Sequence, residues 1–239
     1  MTPEALYNDI KSYCEANADE VLVKKYARFF KEGYDAYGLS DKLLHAKIDA
    51  ILHDADTNFE LIKQTSKPLI GSGKYEETYF AILLLKGFAE KFDTTVFELI
   101  SDWFDIGICN WAHTDVLCRE ITEPMLEKNI VELKAFDSWR TAANKFQRRA
   151  VPVSMICLLK KQQDYQSLFD FVEPLMMDSE RVVQQGVGWF LREAWKIRKD
   201  VTENFLLKWK NEAPRLIYQY ATEKMSKEER TRFRKEKAK

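Results

Sequence analysis

Apolar residues in this chain recur three and four positions apart from one end to the other, and no stretch alternates with polar residues at a spacing of two. That periodicity commits the chain to helices. Leu43, Leu44, Ile48, Ile51 and Leu52 form one such stripe, and Tyr75, Tyr79, Ile82, Leu83 and Phe88 form another. Only 8 glycines and 6 prolines punctuate 239 residues, too few for the turns of a hairpin-rich fold.

Cap signals set the boundaries. Thr2-Pro3-Glu4 opens a helix that runs to about Asn17, Asp19 opens a second ended by Gly33, Ser40 caps a third, and Thr57 or Asn58 begins a fourth. The fourth stops around the Pro68–Gly73 loop. Lys74 to Phe92 follows, Asp93 caps the next helix, and Asn110 to Met125, Ser138 to Leu159 and Tyr165 to Met177 read as further helices. Ser179 caps a central Gly-containing helix, and two more run from Thr202 to Glu212 and from Pro214 to Met225. From Ser226 onward the residues are charged and poor in apolar side chains, as in a frayed terminal helix or tail. Helix pairs recurring at about 35 to 45 residues fall in the range of HEAT units. The expected architecture is therefore all-α, a HEAT-like α-α superhelix over residues 1–225 with a charged segment over 226–239. Such a superhelix has a concave face.

Charge is unevenly placed. From Met1 to Ile130, 14 Lys and Arg stand against 23 Asp and Glu, a net of -9; from Val131 to Lys239, 23 stand against 15, a net of +8. A basic half beside an acidic one suggests a polyanion at the basic, concave surface. Cys14, Cys109, Cys118 and Cys157 are widely spaced and read as buried thiols of an intracellular protein. No apolar run is long enough for a membrane span or placed as a signal peptide, so a soluble, cytoplasmic chain is expected. His45, His53 and His113 have no partners at metal-ligand spacing, and there is neither a phosphate-binding Gly-rich loop nor a Gly-x-Ser-x-Gly elbow. No metal and no organic cofactor are expected.

The stretch Gln184 to Glu193 carries two glycines in a helical pattern, each costing about 1 kcal/mol against alanine. Close approach of another backbone or of a ligand would compensate. Val183, Val187, Phe190 and Ala194 share one stripe with Leu191 at its edge; Trp189 projects elsewhere, with Gln185 and Arg192. It is either a platform for a flat or sugar-like ligand or a packing residue against a second neighbouring helix. Trp111 and Asp115, four apart, share a side of their helix, where an aromatic plane beside a carboxylate can hold a sugar; spacing alone favours the alternative, a packing Trp with an Asp paired to Arg119. Arg149 falls at the edge of the stripe Trp139, Ala142, Ala143, Phe146, Ala150, Val153 and Cys157, where a guanidinium can be fixed and can grip phosphate. Arg148 lies nearly opposite and reads as solvated.

Taken together, these pieces resemble the AlkD-like family of alkylpurine DNA glycosylases, which are built from HEAT-like repeats. The matching elements are Trp111 with Asp115, the run Arg148-Arg149-Ala150-Val151, then Gly188-Trp189-Phe190-Leu191-Arg192-Glu193, and finally Tyr220-Ala221-Thr222-Glu223-Lys224-Met225. Asn110 stands where the family usually has a second aromatic. The resemblance implies a monomeric, monofunctional glycosylase that removes N3- or N7-alkylated purines from double-stranded DNA. Trp111 and Trp189 would cradle the deoxyribose, Asp115 would stabilise the oxocarbenium-like state or position water, and Arg149 would hold backbone phosphate, with Arg148, Arg192 and Gln185 as further DNA-binding candidates. The alternative is a non-catalytic HEAT-like protein that binds DNA structures or a protein partner through the same concave face.

Overall fold

The computed structural model describes residues 1–236, and every regular element among them is helical. They divide into two compact units, Met1–Ile121 and a second beginning at Thr122. The chain passes from one to the other inside a π-helical turn, Cys118–Thr122.

The first unit holds α1 (Pro3–Ala16), α2 (Glu20–Ala27), α3 (Asp41–Leu52), α4 (Phe59–Gly71), α5 (Tyr75–Lys86), α6 (Thr94–Ile106) and α7 (Trp111–Leu117). Thr2, Asp19, Ser40, Asn58 and Asp93 cap their helices by accepting backbone N–H bonds, as the sequence predicts. The fourth helix stops within the expected Pro68–Gly73 stretch, at Gly71, but Pro68 to Gly71 are its last turn rather than loop. At the centre is α5. From Phe80 to Leu85 every side chain is buried, because α3, α4 and α7 each pack on it and no face is left for water. Leu6, Ile10 and Cys14 of α1 seal α4 from the other side.

Two carboxylates enter this core at the start of α5. Glu76 accepts three backbone N–H bonds, from Tyr37 (2.9 Å), Gly38 (2.7 Å) and Leu39 (3.1 Å). Glu77 accepts from the Tyr37 hydroxyl at 2.6 Å. The loop before α3 is thus fastened to the central helix by bonds to charge, the strong kind. By contrast α2 buries nothing, and Val21 and Phe29 stand 73% and 52% exposed.

The second unit holds α8 (Glu123–Glu127), α9 (Lys145–Ser154), α10 (Tyr165–Val172), α11 (Arg181–Ile197), α12 (Lys199–Trp209), α13 (Arg215–Ala221) and α14 (Lys227–Thr231). Its centre is α11, packed between α9 and α13 with α12 alongside. The single helix expected from Ser138 to Leu159 is broken. Residues Ser138–Thr141 form a 3-10 turn, Ala142 is extended, and α9 starts afresh behind Asn144, which caps it. Accordingly Ala143 is exposed rather than on an inward stripe. The cap of α11 is also not Ser179: the helix begins after Glu180 with no side-chain cap. Of the thiols, Cys14 and Cys118 are buried, Cys157 is half-buried and Cys109 is exposed, against the expectation that all four are interior.

The C-terminal segment is fastened rather than frayed. Ser226 and Glu229 close a capping box on α14, and Phe233 is fully buried, with the Arg215 guanidinium donating to its carbonyl at 2.7 Å. Residues 237–239 of that segment lie outside the described residues.

Candidate functional site

In the first unit the site begins with Asn110. Its side-chain oxygen accepts from the His113 backbone N–H (2.9 Å) and so starts α7, which explains a short polar residue at the position before Trp111. Its amide nitrogen lies 2.8 Å from His113 Nδ1, and His113 Nε2 lies 2.9 Å from the Tyr75 carbonyl. A carbonyl only accepts, so the proton belongs on Nε2 and Nδ1 receives the Asn110 amide. Burial pulls the imidazole pKa down to about 4, and His113 is neutral. Its ring stacks on Tyr75 with centroids 4.6 Å apart. His113 is thus a fully partnered core residue joining α7 to α5.

Trp111, the first residue of α7, is half-buried and held at two points. Its ring stacks on Phe30 (5.6 Å, 15°), and Nε1–H donates to the Phe29 carbonyl at 3.3 Å. Phe30 in turn stacks on Tyr34 (4.6 Å) and meets the edge of Tyr75 (5.5 Å). One side of the indole therefore rests on an aromatic stack that fixes its plane. Asp115 sits one turn along α7, half-buried, while His113, Thr114, Val116 and Leu117 face inward. Arg119 turns to Glu120 at 2.8 Å. Sequence reading missed Phe30, Tyr34 and Tyr75 as supports of Trp111. For Phe30 and Tyr34 the signal was a run of aromatics after α2, whereas Tyr75 lay within the apolar stripe of α5.

In the second unit the two glycines of α11 face different neighbours. A Cβ on Gly188 would meet Tyr220 Cβ at 2.5 Å and the Ile217 carbonyl oxygen at 2.7 Å, both on α13. On Gly186 it would meet Arg149 Cγ at 3.3 Å and Pro152 Cγ at 3.4 Å, both on α9. The backbone of α13 at Gly188 is the close approach the sequence called for, and at Gly186 the neighbour is the Arg149 stem and the Pro152 ring. Val183, Val187, Phe190, Leu191 and Ala194 are fully buried, whereas Gln185, Trp189 and Arg192 are half-buried on another face. There Gln185 donates to the Tyr220 hydroxyl (2.8 Å), and Arg192 pairs with Glu193 (3.1 Å) and Glu223.

The two arginines of α9 are both structural to a degree. Arg149 is buried, with Nη1 donating to the Val182 carbonyl at 2.7 Å, so its guanidinium is fixed and desolvated as expected. Arg148 is not solvated. Nε and Nη2 fork onto Asp178 (2.6 and 3.3 Å), and Nη1 reaches the Ala142 carbonyl at 2.7 Å. The break at Ala142 is the reason: it turns carbonyls toward α9 that need a donor, and Arg148 supplies it. Trp111 and Asp115 thus share one helix of the first unit, while Arg148, Arg149, Gln185, Trp189 and Arg192 share the packed pair α9 and α11 of the second.

Among the described residues no group of three or more His, Cys, Asp and Glu could hold a metal ion, and no helix is long and apolar enough to cross a membrane. No curated protein matches the chain. Among solved structures it is similar to a predicted DNA alkylation repair enzyme from Enterococcus faecalis, at 16% identity and a TM-score of 0.74, covering 88% of this chain and 98% of that one. It is also similar to smu.31 from Streptococcus mutans UA159, at 22% identity and a TM-score of 0.58, covering 78% and 94%. These identities speak for the fold alone. The family model of DNA alkylation repair enzymes, however, matches residues 10–225, nearly the whole chain. The chain belongs to the DNA alkylation repair enzyme family.

Proposed function

We propose that the protein is a monofunctional, monomeric DNA glycosylase that hydrolyses the N-glycosidic bond of N3- or N7-alkylated purines in double-stranded DNA, within a single HEAT-like domain over residues 1–225. The observation that carries the reading is the Trp111–Asp115 pair: an indole held in a fixed plane with a carboxylate one helical turn beyond it. In the reaction the C1′–N bond breaks and its electron pair neutralises the cationic purine, while positive charge develops on the deoxyribose. A carboxylate beside that sugar lowers the barrier by opposing the charge, and it orients the water whose oxygen then bonds to C1′. The proton lost from that water goes to Asp115 or to solvent.

Trp111 and Trp189 are each assigned to contact with deoxyribose, and Arg149 to a backbone phosphate, with Arg148, Arg192 and Gln185 as further DNA-binding residues. Arg148 and Arg192 act mainly through the carboxylates and carbonyls they already hold, Asp178 and Ala142 in one case, Glu193 and Glu223 in the other. No general acid is assigned. An alkylated purine leaves as a neutral base, and His113, on the same helix as Asp115, has its one N–H committed to the Tyr75 carbonyl.

The test is release of methylated purine from DNA treated with a methylating agent. Asp115→Asn is expected to lower single-turnover release about 100-fold or more, in line with loss of one charge-stabilising group, at unchanged helix content. Wild-type release with no loss in the variant would remove Asp115 from the mechanism. No release by the wild type, with DNA binding intact, would favour a non-catalytic DNA-binding protein.

A further inference from the structure

The family match ends at Met225, yet the chain continues through a segment carrying seven Lys and Arg against three acids. Half of the excess positive charge of the C-terminal half therefore sits in its last 14 residues. A merely solvating tail has no need of anchors, and this one has several. Phe233 is fully buried, Arg215 holds its carbonyl, Arg232 pairs with Glu203, and Lys210 pairs with Glu236 at 2.6 Å. The anchors consume Arg232 and Glu236 and leave another set of cations on one side. Lys227, Arg230 and Thr231 fall at i, i+3 and i+4 on α14, one face of the helix, and Arg234 follows in the turn after it. They line a cleft of about 440 Å³ whose only acid is Glu228. Arg230 is steadied there by donating to the Met225 and Glu223 carbonyls (3.0 and 2.6 Å). Lys227 and Arg234 are exposed and have no acidic partner among the described residues.

We propose that Lys227, Arg230 and Arg234 form an accessory clamp, outside the matched family region, that binds the phosphate backbone of duplex DNA. Three cations and a hydroxyl with a single opposing carboxylate suit phosphodiester oxygens, to which they donate without reading sequence. The inference rests on DNA being the ligand of the protein. It assigns no part in the chemistry to the segment.

The experiment is equilibrium binding of the full chain to a fluorescent duplex, followed by anisotropy over a salt series. Three proteins are compared: wild type, the double variant Lys227→Gln/Arg234→Gln, and a control with the same charge change elsewhere in the second unit, Lys128→Gln/Lys134→Gln. Each phosphate contact contributes about 0.9 to the slope of log K against log salt, so the clamp variant's slope should be shallower by about 1.8. Between about 50 and 200 mM salt the wild type's advantage over it should shrink roughly 12-fold. The control should keep the wild-type slope, and base release at saturating protein should be unchanged in both variants. A clamp variant with the wild-type slope, or a control that loses as much, overturns the clamp while leaving the glycosylase reading in place. Wild-type binding that is absent or indifferent to salt removes DNA as the ligand, and both proposals fall with it.

Discussion

Each unit is organised round one central helix, and the two helices are made central by opposite means. In the first unit α5 is apolar on every face from Phe80 to Leu85, so any neighbour will do, and α3, α4 and α7 supply them. Position is then decided by polar fastenings at its N-terminal end: Glu76 on the loop at Gly38, and the Tyr75 carbonyl on His113. In the second unit α11 is amphipathic and has small residues instead. Gly188 lets the backbone of α13 come in against α11, and Gly186 takes the Arg149 stem and Pro152 ring of α9, so that shape does most to set the register. The difference carries to the two tryptophans. Trp111 is held through its own ring and N–H, whereas Trp189 is placed by the backbone beneath it.

The sharpest way to break this contrast is to find a polar fastening in the second unit that matters as much as those in the first, and Arg148 is the strongest. Its fork onto Asp178 is largely shielded, the two side chains being 16% and 8% exposed. Arg148→Ala leaves that carboxylate with the Glu180 N–H but no counter-charge, and takes from the Ala142 carbonyl the guanidinium that donates to it. Loss of one partner of a shielded pair costs about 3 kcal/mol or more, to be read as a shift of the urea midpoint at constant slope. A cost below about 1 kcal/mol, the range of exposed pairs, would mean that shape alone governs the second unit.

Next in size is the titration of His113 in the first unit. The unfolded chain takes up a proton on this residue near pH 6.5, but the folded protein holds it off until about pH 4. The associated stability is whole above pH 6.5 and is lost progressively as pH falls toward 4, to a total of about 3 kcal/mol. His113→Gln offers an acceptor to Asn110 and a donor to Tyr75 without the titration. The difference in unfolding free energy between wild type and variant should therefore fall along that window and be flat above it. A pH-independent difference would mean that the imidazole is not held neutral.

What the sequence made legible follows the same divide. Helical class, five N-caps and the outward face of Trp189 were readable because each depends on local spacing and local hydrogen bonds. Local too was the cost of the paired glycines, which pointed to a close approach before any neighbour was known. Hidden were the contacts that need a partner far along the chain. Arg148 looked solvated because its helix was drawn straight through Ala142, and only the break brings Asp178 and the freed carbonyls within reach. The stack of Phe30 and Tyr34 beneath Trp111 joins residues about 80 positions apart, and no periodicity within one helix encodes it. The C-terminal segment looked like a tail because one buried ring, Phe233, outweighs a dozen polar residues in deciding whether such a stretch docks.

The smallest expected effects lie in α11 itself, and they separate its two glycines. Replacing Gly188 by alanine gains about 1 kcal/mol in helix propensity, but the new methyl lands 2.5 Å from Tyr220 Cβ and 2.7 Å from a carbonyl of α13. Neither is the loose end of a side chain, so α13 must move, and a net loss of about 2 kcal/mol is expected. At Gly186 the same methyl meets atoms of α9 no nearer than 3.3 Å. A few tenths of an ångström of give suffices there, the propensity gain offsets it, and Gly186→Ala should fall within about 0.5 kcal/mol of wild type. Thermal melts of the two variants side by side decide the matter. Equal, large losses would show that α9 is as rigidly seated as α13; equal, negligible ones would show that the glycines do not set the register of α11, and the contrast between the two central helices would lose its basis.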